Sequence, residues 1–308
     1  MQYLLNIVSV MKLQTNRKKK ILKIVISFFA IGFFAIYFSF LFPGKLQFAD
    51  RVRVNLMENT INVLEEIEKA GQRLTLSNFY GKKGSTLTYN ELAPYLNNIQ
   101  SGTLFFISHG KIVSNLIPGN WTHAGFYLGT KKQLQSKFGS ASVIYQLVEN
   151  MYQTGEEHLI IDSSLKKGCA VRDILDMAAL ESESTLRSII FFEPKIGQTQ
   201  LQYILQSSLA ETGKKYDLSF SMNDSSKIYC TELINDAFQS FGIVFYRRTP
   251  IFFRNILLPE DMVEEIMEKH MNDFKLKMCL VKNNNQVQNL NYSEILRLVA
   301  GIITEKTN

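Results

Sequence analysis

Residues 120–129 read Asn120-Trp121-Thr122-His123-Ala124-Gly125-Phe126-Tyr127-Leu128-Gly129. This is the alternation of a strand: Ala124, Phe126 and Leu128 turn one way, His123, Gly125 and Tyr127 the other. His123 leaves the strand near its start, beside two small residues and shortly after the chain's single tryptophan. A strand histidine says little alone. Its weight comes from a second stretch far downstream, Lys227-Ile228-Tyr229-Cys230-Thr231-Glu232-Leu233-Ile234. There Leu233, Ile234, Ala237, Phe238 and Phe241 fall on one helical face and Gly242 stops the helix, so Cys230 sits in the first turn. Unpaired N–H groups and the helix dipole favour a thiolate at that place. A histidine and a cysteine so far apart in sequence can meet in the fold as base and nucleophile.

The stretches around these two are consistent with one α+β domain. Thr103 to Ser108 is a compact apolar strand followed by the turn signal His109-Gly110. Residues 130–157 are polar and irregular, a loop with a helical piece. Strands follow at Leu159 to Ser163, Gly168 to Val171 and Arg187 to Glu193, then a helix over about Gln198 to Thr212 with Leu201, Ile204, Leu205 and Leu209 on one stripe. A polar loop at Ser219 to Lys227 leads to the Cys230 helix. Pro259 followed by Glu260 and Asp261 marks another helix start. The end of the chain reads as a strand, an Asn-rich turn at 283–285 and an amphipathic helix at Tyr292 to Ile303.

The formal charge of +6 over 308 residues looks at first like a nucleic-acid signal. Residues 1–50, however, carry seven Lys and Arg against Asp50 alone, and the rest of the chain balances 27 basic with 27 acidic residues. A neutral domain offers no footprint to a polyanion, so no nucleic-acid partner is expected. The basic residues flank Ile24 to Phe42, 19 residues without a charge, which as a helix span about 28 Å, a bilayer core. The run is long for a cleaved signal, and no small-x-small site follows it. With Arg17 to Lys20 before the span, the positive-inside rule places the N-terminus in the cytosol and the rest in the periplasm or outside the cell. The expected organisation is a basic cytosolic segment at 1–23, a transmembrane helix at 24–43, a helical stalk or linker at 44–100, a catalytic domain at 101–262 and a C-terminal extension at 263–308. Three cysteines, Cys169, Cys230 and Cys279, match no disulfide framework and no metal spacing.

Taken in chain order, Gly102-Thr103-Leu104-Phe105-Phe106, Thr122 to Gly129, Ile160-Ile161-Asp162-Ser163 with Gly168 and Val171, Lys215-Tyr216-Asp217 and Ile228 to Leu233 resemble the YiiX/YebB-like branch of the NlpC/P60 superfamily, the permuted papain-like cysteine hydrolases. The resemblance covers residues 100–260, and the His123 strand and the Cys230 helix are its specific parts. It implies a circularly permuted papain-like fold, an antiparallel sheet packed on the Cys-bearing helix. It also implies a triad of Cys230 as nucleophile, His123 as base and Asp162 as the acid that orients the imidazole, with Tyr216 lining the pocket or helping the oxyanion. Chain order can change while such roles persist, because the chemistry needs only a meeting in space. Two departures stand out. The family's strand acid is often Glu, which leaves Glu149 as a rival to Asp162, and Thr103 replaces the usual Asp.

The resemblance implies hydrolysis of amide or related acyl bonds, in a cell-wall peptide or a lipid-type substrate, through a thioester and with no cofactor. Two other readings compete: an inactive module of the same fold that binds an envelope or lipid ligand, and a zinc site made from Cys230, His123 and Asp162. Nucleophile and base are preferred to zinc because two motifs occur in a thiol-hydrolase order. His109, His158 and His270 lack such a context and are expected at the surface, and Cys169 and Cys279 as structural thiols.

Overall fold

A computed structural model describes residues 27, 31, 51–56, 59–60, 86–109, 118–178, 185–220, 224–251, 254–283 and 286–299. The chain forms two compact units: residues 1–59 with 252–254, and residues 60–251 with 255–308. The transmembrane helix expected at 24–43 lies outside the described residues, apart from Ser27 and Ile31. Among the described residues no helix is long and apolar enough to cross a membrane.

The centre of the second unit is a seven-stranded antiparallel sheet. Its strands are β1 (Thr103–His109), β2 (His123–Gly129), β3 (Leu159–Ser164), β4 (Gly168–Asp173) and β5 (Leu186–Pro194). Two short strands, β6 (Lys215–Tyr216) and β7 (Lys227–Ile228), pair with each other in parallel beside it. The hairpin β8 (Phe274–Asn283) and β9 (Gln286–Asn289) completes the sheet. The spatial order is β9, β8, β5, β1, β2, β3, β4.

Among the described residues of this unit, seven helices surround the sheet in chain order: α1 (Tyr89–Leu96), α2 (Lys131–Phe138), α3 (Val143–Val148), α4 (Gln198–Ala210), α5 (Cys230–Gln239), α6 (Pro259–Lys269) and α7 (Tyr292–Val299). One core joins Leu104, Phe106, Ala124, Phe126, Leu128 and Phe192 to Leu201 and Leu205 of α4, Leu233 and Phe238 of α5, and Met262 and Ile266 of α6. A second core joins the alternate residues Phe105, Ile107, Tyr127, Ile160 and Phe191 to Leu92 and Leu96 of α1 and to Met177. The sheet is therefore covered on both faces. Sequence alternation predicts a half-buried His123 strand, but Gly125 and Tyr127 are buried as fully as Ala124 and Phe126. The cause is in β1 and β5, whose apolar residues point both ways and need cover on both sides.

Three further differences have local causes. Residues 130–157 hold two helices with buried Leu134, Phe138, Ile144 and Val148 rather than a loop with one helical piece. Thr130 and Gln133 close a capping box at the first of them and Ser142 caps the second, signals that a polar composition hides. The boundary expected at 262/263 falls inside α6, and β8 is an inner strand of the main sheet, paired with β5 from Phe274↔Pro194 to Val281↔Ser188. Part of the expected linker, Leu87 to Ile99, packs in the second core.

Candidate active site

β2 and β3 place the first two residues of the site. Gly125 stands directly opposite Asp162 in the ladder, so His123 and Asp162 are diagonal neighbours on one face. A Cβ at position 125 would come to 2.6 Å from the Ile161 carbonyl oxygen and 2.8 Å from the Asp162 Cβ. Gly125 thus leaves the space through which the two side chains meet. His123 Nε2 lies 2.5 Å from Asp162 Oδ2. Asp162 is completely buried, whereas the His123 side chain keeps 13% of its exposure.

A residue from β4 completes this end. Arg172 Nε donates to Asp162 Oδ1 over 2.8 Å, and Arg172 Nη2 donates to Oδ2 of the same carboxylate. Burial alone would raise the pKa of Asp162, but the facing charges of His123 and Arg172 and their hydrogen bonds outweigh it and hold it at about 2. Burial likewise acts to lower the pKa of His123. The Asp162 charge and hydrogen bond, helped by Cys230, prevail and raise it to about 9. His123 is therefore an imidazolium at neutral pH.

Cys230 comes to the same point from α5. It is the first residue of the helix, after Tyr229 as N-cap, and is 3% exposed. It acts on His123 as a hydrogen-bond neighbour. With Nε2 engaged by Asp162, the Nδ1 edge of the ring is the one left for sulfur. Two hydroxyls fix the approach to the helix: Ser163 Oγ donates to the Ile228 carbonyl over 2.6 Å, and Thr231 Oγ1 donates to the Leu257 carbonyl over 2.6 Å. Glu232 closes the first turn, its Oε2 accepting from the Tyr229 N–H over 3.2 Å. Burial, reinforced by Asp236 and Asp217, pushes Glu232 up to about 8. Largely uncharged near neutral pH, Glu232 leaves the positive end of the helix free to act on Cys230.

Tyr216 lies beside Cys230: burial first, and then the charge of and hydrogen bond to Cys230, raise its pKa. Phe220 packs edge-on against both Tyr216 and Tyr229, with ring centroids 6.2 and 5.2 Å away. It holds a positive φ of 48°, a strained conformation for a bulky residue.

The structure thus brings Cys230, His123, Asp162 and Tyr216 together. Glu149 is half-buried in a short turn at 149–151, and Asp162 occupies the position beside His123. Among the described residues no group of three or more His, Cys, Asp or Glu side chains could hold a metal ion. The residue that sequence reasoning missed is Arg172. Its signal was the period of two, which puts Ala170 and Arg172 on the face of Ile160 and Asp162. His158, expected at the surface, is 5% exposed and shares a 2.5 Å hydrogen bond between Nδ1 and the Tyr127 hydroxyl. Its ring stacks on Tyr127, whose aromatic body the second core needs. Cys169 and Cys279 are buried free thiols, pushed up to about 12 by burial.

Residues 98–279 match the profile of the permuted papain-like amidase enzymes, the YaeF/YiiX, C92 family. No curated protein matches the chain. Among solved structures it is similar to one described as metalloprotein yiiX from Escherichia coli O157:H7, with 14% identity, a TM-score of 0.36 and coverage of 62% of this chain and 96% of that one. A family profile that spans more than half of the sequence gives the identification: the chain belongs to the permuted papain-like amidases of the YaeF/YiiX, C92 family and is a cysteine hydrolase of that kind.

Proposed function

We propose that this protein hydrolyses amide bonds through a thioester on Cys230, with His123 as proton carrier and Asp162 as the group that orients it. The observation that carries this reading is the placement of His123 between a buried carboxylate and the cysteine at a helix start. Cys230 attacks the carbonyl carbon as a thiolate. The negative charge that develops on the carbonyl oxygen falls near the Cys230 backbone N–H and the Tyr216 hydroxyl. As the C–N bond breaks, His123 gives its proton to the leaving amine, and the acyl group stays on sulfur. Water then attacks the thioester, His123 takes its proton, and the released acid leaves the thiolate–imidazolium pair restored. Asp162 keeps the Nε2 side of the ring occupied throughout, so Nδ1 faces the reaction.

The substrate class that suits this reading is a peptide or acyl amide of the cell envelope, whether a cell-wall peptide or a lipid-type amide. We further propose that residues 24–43 anchor the chain, with the N-terminus in the cytosol and the catalytic domain on the far side. The charge-free run, the basic cluster before it and the neutral domain after it support this topology.

The test is turnover by the full chain in detergent micelles, offered a panel of peptide amides, acyl amides and esters. Wild type should release amine from at least one amide, and Cys230→Ala should release none. Equal release by the mutant would refute the mechanism. Protease added to one side of reconstituted vesicles would test the topology, since the domain should be cut only from the side opposite the N-terminus.

A further inference from the structure

We infer that Arg172 is a positioning residue for the reaction: its guanidinium fork fixes Asp162 and sets how firmly that carboxylate holds the proton of His123. This rests on the reading of His123 as proton carrier, though its test needs no turnover. The geometry is specific. Asp162 on β3 pairs with Ala170 on β4, so Arg172 is the diagonal neighbour on the same face. His123 is the diagonal neighbour from the other side, on β2. The fully buried carboxylate is thus gripped by a cation from each adjacent strand, with Oδ2 shared between them. The planar fork of Arg172 takes both oxygens and leaves the carboxylate no freedom to rotate. Arg172 is itself held from behind, its Nη1 lying 3.8 Å from Asp176, which Lys167 contacts over 2.6 Å at the surface.

The charge balance gives the fork a chemical consequence. A thiolate–imidazolium pair on Cys230 and His123, next to Asp162, would leave one uncompensated negative charge in a buried site. Arg172 would cancel it, giving such a site two positive and two negative groups. Without Arg172, Asp162 would bind the imidazolium proton more tightly, and His123 would release that proton to a leaving amine less readily. The fork therefore serves proton transfer as well as stability. The charged and titratable groups that bear on His123 are Asp162 from β3 and Cys230 from α5 and, through these two, Arg172 from β4 and Tyr216 from β6. Its neighbour from β1, Phe105, is apolar.

The experiment is an NMR titration of the His123 imidazole in the full chain, labelled at histidine, with His123→Gln to identify the signal. Arg172→Gln should move the midpoint up by about one pH unit or more, and Arg172→Lys, which keeps the charge, by less than half of that. A purely structural arginine would lower the melting temperature on substitution and leave the midpoint in place. A midpoint that is unchanged or lower in Arg172→Gln would overturn the inference. Asp176→Asn provides a second test at an exposed position. It strips a negative group from the far side of the guanidinium and should move the midpoint down, and an upward or absent shift would count against the role. Failure of the amide assay with a normal response of the midpoint would remove the proposed reaction and leave this assignment standing.

Discussion

A half-buried histidine near the start of β2 and a buried histidine just before β3 lie towards opposite ends of the pairing of these strands, and the two titrate in opposite directions. His123, near the start of β2, meets the carboxylate of Asp162 and is raised to about 9. His158, one residue before β3, meets the neutral hydroxyl of Tyr127, and burial lowers it to about 4. Both rings lie beside aromatic side chains, Phe105 for His123 and Tyr127 for His158. What separates them is the partner of the ring. A buried carboxylate forces a positive ring and gives it an acid to donate, whereas a hydroxyl leaves a neutral ring that serves only packing and hydrogen bonding. Burial of a histidine therefore decides nothing about function until its partner is known.

The sharpest way to break this contrast is to remove each ring in turn. His123→Ala should lower kcat/KM for an amide substrate by about 10²–10⁴-fold. His158→Phe, which fills the same kind of apolar space, should leave kcat/KM within about threefold, as for a change that spares the transition state. Comparable losses from both, measured on protein of equal foldedness, would erase the distinction. Next in size is the carboxylate itself. Asp162→Ala takes from Arg172 and His123 the buried carboxylate they share, leaving Arg172 only its 3.8 Å contact with Asp176, and should cost about 3 kcal/mol of stability at pH 7 by urea denaturation.

The pH dependence of stability sharpens the comparison further, because the two signs differ. His123 binds its proton more tightly folded than unfolded. Its contribution is complete below the unfolded value of about 6.5 and is lost as pH rises through about 9. His158 holds its proton less tightly when folded, so its penalty appears as pH falls from about 6.5 towards 4. Denaturation curves should show the alkaline loss flattened in His123→Gln and the acid loss flattened in His158→Phe, with neither variant affecting the other limb. The smallest expected effect is that of Tyr127→Phe, which removes the partner of His158 and should cost about 1 kcal/mol with activity retained.

How much of this was legible in the sequence depends on how local the signal was. His123 and Cys230 announced themselves through strand period and helix start, two properties of short stretches. Asp162 and Tyr216 needed the family resemblance, because their pairing with His123 and Cys230 is made only across the fold. Arg172 went unseen although the period of two places it beside Asp162. A strand arginine reads as exposed until the sheet is known to be covered on both faces. The same missed second layer hid the burial of His158, which Tyr127 and Tyr89 enclose. Helix α2 was masked by polar composition, since its buried Leu134 and Phe138 are spaced among Lys, Gln and Ser, and α3 is a run of only six residues, too short to show a helical period.

The central claim is that His123 and Cys230 act as one acyl-transfer device. The most direct measurement is intact mass of the full chain after brief exposure to an activated acyl amide or ester, followed by peptide mapping of the adduct. The account predicts one acyl group on Cys230 in the wild type, labile to hydroxylamine as a thioester, and a strongly reduced yield in His123→Ala, with Cys169 and Cys279 unmodified. Equal acylation of the wild type and His123→Ala, or a label on another residue, would contradict it.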